Sequence, residues 1–151
     1  MNQTNHVIGV VESLIEICHD GEKGYKDAAS HIKRPDLKTF FTEQGAQRAR
    51  FADELQAELS KLGKPEKKES GTVAGAIHRA WIDTKVVVGG GDKTILESVE
   101  QGEDNAKETY QKALSASLPA NVAEIVRRQA ASVQKAHDKV KSLRDSAAAA
   151  A

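Results

Sequence analysis

Residues 37–62 read LKTFFTEQGAQRARFADELQAELSKL. Leu37, Phe41, Phe51, Leu55, Leu59 and Leu62 fall on one face of a helix, because apolar residues at steps of three and four stack along one side. The two mid-stripe places between Phe41 and Phe51 belong to Gln44 and Arg48. A helix face that is greasy at both ends and polar in the middle is the mark of a bundle with a polar layer.

Three more stripes repeat the design. The first runs Ile8, Val11, Ile15, Cys18, Glu22, Tyr25, Ala29, Ile32; the third Leu96, Val99, Glu103, Ala106, Tyr110, Ala113; the fourth Val122, Ile125, Gln129, Val133, Ala136, Val140, Leu143. Burial of Cys18, Glu22, Gln44, Arg48, Glu103 and Gln129 as one layer is costly unless these groups satisfy one another or a ligand.

Turn signals divide the stripes into four long helices. Thr4 or Asn5 can cap the first. Pro35-Asp36 starts the second, which ends near Gly63. Residues 63–71 form a polar loop, followed by a shorter helix with Val73, Ile77, Trp81 and Val88 on its apolar face. Gly89-Gly90-Gly91 ends that helix. Asp92 is the expected N-cap of the third long helix, which runs to about Ser117. Leu118-Pro119-Ala120-Asn121 makes the second tight turn, and the fourth helix runs to about Ser146 before a fraying alanine tail.

The layout is hairpin, long crossover, hairpin, within one domain spanning residues 1–151. Short loops make helices one and two antiparallel neighbours, and likewise three and four. A crossover of this length sets the third helix parallel to the second, as in one-crossover ferritin-like bundles. Period-two β patterns are absent, so the fold class is all-α. Gly21 and Gly24, inside the first helix, point to close approach of a neighbour or to a bend.

Composition narrows the partners. Lys+Arg and Asp+Glu both total 22 in 151 residues, giving a formal net charge of zero. That argues against nucleic acid or an anionic membrane as partner. Lys64, Lys67 and Lys68 are interleaved with Glu66 and Glu69 and read as a solvated loop. No run is apolar enough to span a membrane, and Glu12 and Glu16 interrupt any signal-peptide pattern, so a cytoplasmic protein is expected. Cys18 is the one cysteine, which excludes an internal disulfide; on an apolar stripe it reads as a small buried hydrophobe.

The polar layer raises the question of metal. Glu22 and Arg48 lie about equally far from the Pro35 turn, and at about 1.5 Å rise per residue they reach similar height. Di-iron bundles place one Glu on each of two helices and Glu-x-x-His on each of the other two. Glu22 and Glu103 could supply the lone glutamates. The second helix offers Gln44-x-x-Gln47 and the fourth Gln134-x-x-His137, and neither is a normal ligand pair. Three arrangements fit. Arg48, a permanent cation, bridges Glu22, Glu103 or Glu100 and replaces a metal's charge. Alternatively Glu22, Glu100, Glu103 and His137 hold iron or manganese in a noncanonical site. In the third, the polar residues face solvent or a partner subunit. The first is preferred, with no cofactor and with register as its physical use.

Other candidates are weaker. His6 and His31 have no partners at metal spacing, and His19 and His78 read as surface or second-layer residues rather than ligands. Gly89-Gly90-Gly91-Asp92 precedes a helix but follows no strand and carries an acid. No Ser/His/Asp or Cys/His arrangement emerges, so catalysis is not expected. Trp81 packs the crossover helix on the bundle or builds a homo-oligomer surface.

Several segments together carry a resemblance: Cys18-His-Asp20-Gly21-Glu22-x-Gly24-Tyr25, Leu37-x-x-x-Phe41, Arg48-x-x-Phe51, Gly75-x-x-His78-Arg79-x-Trp81, Glu100-x-Gly102-Glu103-Asp104 and His137-Asp138. Over about residues 5–145 the chain resembles a family of uncharacterised bacterial four-helix-bundle proteins, classed with the ferritin-like fold and carrying a domain of unknown function. Gln101 stands where that family is expected to have a basic residue. The resemblance implies the fold and a small bacterial cytoplasmic protein. It implies no reaction, because the Glu-x-x-His pairs of ferritin-like oxidation and storage sites are missing. The expected role is a structural, stress-associated or interaction module; the alternative is a metalloprotein for iron storage or oxidation chemistry.

Overall fold

A computed structural model describes residues 2–63 and 91–150. Four helices account for them: α1 (Asn2–His31), α2 (Pro35–Lys61), α3 (Asp92–Leu114) and α4 (Ala120–Ala150). The described residues contain no strand. The short crossover helix expected around Trp81 lies outside the described residues.

Helix boundaries follow local chemistry. Arg34 is extended (φ −69°, ψ 123°), as a residue before proline prefers, and Pro35 takes the first helical turn, where its missing N–H costs nothing. Gly63 closes α2 in the left-handed region, at φ 83°, with its N–H donating to Ser60 O at 3.0 Å. The ends of α3 and α4 differ from expectation. α3 stops at Leu114, a few residues short of the expected end, and a turn precedes Pro119. α4 continues through the alanine tail to Ala150, because alanine has the highest helix propensity.

Asp92 does not cap α3. Gly91 holds the N-cap position, and the Asp92 carboxylate accepts the backbone N–H groups of Lys33 at 2.9 Å and Arg34 at 3.2 Å. This clasp sets the start of α3 beside the start of α2, so the two helices run parallel, as the crossover requires. At the other end the Asn121 amide donates to Glu58 Oε1 at 2.7 Å, setting the start of α4 beside the end of α2. Helix contacts run α1–α2, α3–α4, α1–α3 and, sparsely, α2–α4. α2 and α3 are therefore diagonal partners.

The core is two clusters. One gathers Val11, Leu14, Ile15, Phe51, Leu55, Leu59, Ala106, Tyr110, Val126 and Val133. The other gathers Tyr25, Ala28, Ile32, Leu37, Phe41, Ile95, Leu96, Val99 and Val140. Tyr25, Phe40 and Phe41 stack in the second with ring centroids 5.6–6.5 Å apart. Arg48 and Glu103 are buried and belong to neither cluster; in sequence each lies between residues of the two. No helix among the described residues is long and apolar enough to cross a membrane.

Candidate functional site: the buried polar layer

Arg48 is 1 % exposed and is among the largest fully buried side chains. Its Nη2 donates to Glu103 Oε2 at 2.6 Å, across the bundle diagonal from α2 to α3. Two glycines make the room. A β-carbon at residue 21 would lie 2.9 Å from Arg48 Nη1, so Gly21 is the gap that admits the guanidinium. A β-carbon at residue 45 would lie 3.4 Å from Glu22 O and from Tyr25 Cβ, so Gly45 lets α2 sit close on α1. The guanidinium carbon also lies 5.5 Å from the Tyr25 ring centroid, a cation–π distance.

Burial alone would discharge Arg48, but the Glu103 carboxylate outweighs it and raises the guanidinium pKa above its ordinary value. The Tyr25 phenol is pushed well up, first by burial and then by the Glu103 charge. Its hydroxyl faces that carboxylate without a well-formed hydrogen bond. The centre of the layer is thus a fixed cation and a carboxylate, flanked by a neutral phenol.

A second group of polar contacts adjoins the first cluster. Tyr110 donates to Gln129 Oε1 at 2.7 Å, and Cys18 Sγ lies 3.1 Å from the Tyr110 oxygen. Gln129 Nε2 donates to Glu54 Oε1 at 2.8 Å and to Phe51 O at 3.3 Å. With Cys18 on α1, Tyr110 on α3, Gln129 on α4 and Glu54 on α2, this chain touches every helix. Burial pushes the Cys18 thiol up to about 11, against the lowering effect of its Tyr110 bond. It is a protonated thiol at neutral pH, with little nucleophilic character.

Of the six stripe residues expected in the layer, Cys18, Arg48, Glu103 and Gln129 are buried. Glu22 and Gln44 are only half-buried and lie at its rim. Glu22 pairs along its own helix, with His19 Nδ1 at 3.4 Å, rather than with Arg48.

The structure does not gather Glu22, Glu100, Glu103 and His137 into one ligand set. Glu103 is held by Arg48, and Glu100 by Arg144 on α4. Both nitrogens of His137 face carboxylates, Asp104 Oδ1 at 2.6 Å and Asp138 Oδ1 at 3.1 Å. Among the described residues no three His, Cys, Asp or Glu side chains are placed to hold a metal ion. The physical reason is that each acid has its own cationic or hydrogen-bonding partner.

Sequence reasoning missed the partners Glu54, Asp104, Arg144 and the two tyrosine hydroxyls. The tyrosines carried a signal, since a buried phenol on a stripe needs a polar neighbour. The other three lie off the stripe centres, and no period marks them.

A family model described as a domain of unknown function (DUF2383) matches residues 6–116. No curated protein matches the sequence. Among solved structures, a mutant of Mycobacterium smegmatis Dps1 is similar, with 15% identity, 95% of this chain and 97% of that chain covered, and a TM-score of 0.73. At that identity the likeness shows the fold alone, the ferritin-like four-helix bundle.

Proposed function

The chain belongs to the DUF2383 family of domains of unknown function, and on that footing we propose that it works as a non-catalytic, metal-independent ferritin-like bundle. The observation that carries this reading is the buried Arg48–Glu103 pair, which places a permanent cation beside the mid-bundle carboxylate. A guanidinium there repels a dication and satisfies the carboxylate's charge. The neighbouring acids, Glu100 and Asp104, are engaged by Arg144 and His137.

In this reading the polar layer sets helix register, since a buried pair with one partner specifies alignment more than it adds stability. The protein is a structural, stress-associated or interaction module of the bacterial cytoplasm. Its balanced charge of 22 against 22 speaks against nucleic acid and anionic membranes as partners. A protein, including a second copy of the chain, is the partner class that remains.

Elemental analysis tests this. The full chain would be expressed with added iron and manganese and purified without chelators or a metal-affinity tag. The expected result is no stoichiometric metal in a folded protein. One or two ions per chain, lost in Glu103→Gln, would replace the reading with that of a metalloprotein for iron storage or oxidation chemistry.

A further inference from the structure

We infer that the bundle opens along its α2–α4 edge, and that the exposed Glu54–Arg128 pair is the salt-sensitive latch of that opening. The four edges of the bundle are unequal. α1–α2 and α3–α4 pack extensively, α1–α3 less so, and α2–α4 only sparsely. Side-chain clasps join α2 to α4. Arg128 donates to Glu54 through both terminal guanidinium nitrogens, Nη1 at 3.2 Å from Oε1 and Nη2 to Oε2. Asn121 reaches Glu58, and Lys139 Nζ lies 4.4 Å from the Phe40 ring centroid.

The latch lies above the polar chain. Glu54 and Arg128 side chains are 32 % and 52 % exposed, whereas Gln129, Tyr110 and Cys18 beneath them are buried. Glu54 bonds Gln129, Gln129 bonds Tyr110, and Tyr110 meets Cys18. Separating α2 from α4 breaks both Gln129 bonds, to Glu54 and to Phe51 O, draws Arg48 away from Glu103 across the diagonal, and uncovers the rest, while each helical hairpin stays intact. Such subglobal opening is cheapest where two helices approach each other least closely. An exposed ion pair is weakened by salt, so ionic strength sets how often the edge opens.

Cys18 is the chain's single cysteine and reports the opening without a label. The full chain is treated with 4,4′-dithiodipyridine, an uncharged reagent, so that salt acts on the protein. Wild type should label about two- to fivefold faster in about 0.5 M salt than in about 0.02 M, the span expected from loss of an exposed pair. Glu54→Gln should label at the fast rate in both salts. Glu100→Gln, which breaks the Arg144 pair inside the α3–α4 hairpin, should keep the wild-type rate and salt response. Denaturant should speed wild-type labelling with a far shallower slope than global unfolding. Labelling that tracks global unfolding in all three proteins overturns the inference, as does a wild-type rate indifferent to salt or an equal effect of Glu100→Gln.

Discussion

Gly21 and Arg48 compete for one space: a β-carbon on residue 21 would lie 2.9 Å from Arg48 Nη1 and 3.1 Å from its Cγ. Gly24, one turn on, has nothing within 4 Å of the same position. Two glycines in one helix thus have opposite meanings. Gly24→Ala should raise stability by about 0.5–1 kcal/mol, the ordinary gain in a helix interior. Gly21→Ala should lower it by about 1–3 kcal/mol, because the buried guanidinium cannot retreat without losing Glu103. In an Arg48→Ala background Gly21→Ala should become stabilising. Urea midpoints of the variants check this, and equal effects at both glycines would refute the crowding.

Alkaline pH probes the buried thiol. The Cys18 pKa is raised in the fold to about 11 by burial. A group raised above its unfolded value contributes stability that is full below the unfolded pKa, about 8.5 for cysteine. That contribution is lost as pH rises through the folded value. Wild type should therefore lose stability between those limits, and Cys18→Ser should lose less over the same range. Tyr25 and Tyr110 are raised too, first by burial, which both proteins share; the part of the Tyr110 rise that Cys18 supplies is lost with Cys18 and widens the difference in the same direction. Parallel stability curves for the two proteins would show that Cys18 is not buried as described.

The Tyr110–Gln129 bond should show the asymmetry of buried polar pairs. Gln129→Met leaves the Tyr110 hydroxyl without its acceptor and should cost about 1–3 kcal/mol. Adding Tyr110→Phe removes the orphaned group, so the double variant should be less destabilised than the sum of the single changes. Strictly additive losses in chemical denaturation would mean that the 2.7 Å bond does not form.

The fold was legible because the stripes report burial directly. Every member of the third stripe is buried, and so are Cys18, Arg48 and Gln129 at the polar interruptions. The site was less legible, because period places a residue on a face but does not say what it meets. Glu22 shares a stripe with Cys18 and Tyr25, yet it turns along α1 to His19. Glu100 lies one turn before Glu103, and His137 lies beside the fourth stripe. Arg144 and Asp104, reaching in from beside the stripes, separate them. Asp92 has the chemistry of a helix cap, but the nearest free donors belong to the Lys33–Arg34 turn, which only the folded chain brings near. Gly21 did announce a close approach, and the missing piece was that the approaching group is Arg48.

The measurement that bears most directly on the account is a double-mutant cycle on Arg48 and Glu103, followed by urea unfolding. Arg48→Met and Glu103→Leu should each cost about 3–5 kcal/mol, because each leaves the other charge buried alone. The double variant should return to within about 1 kcal/mol of wild type or exceed it, so that the two single effects fail to add by about 5 kcal/mol or more. Additive single effects, with coupling below about 0.5 kcal/mol, would contradict the claim that this pair closes the polar layer.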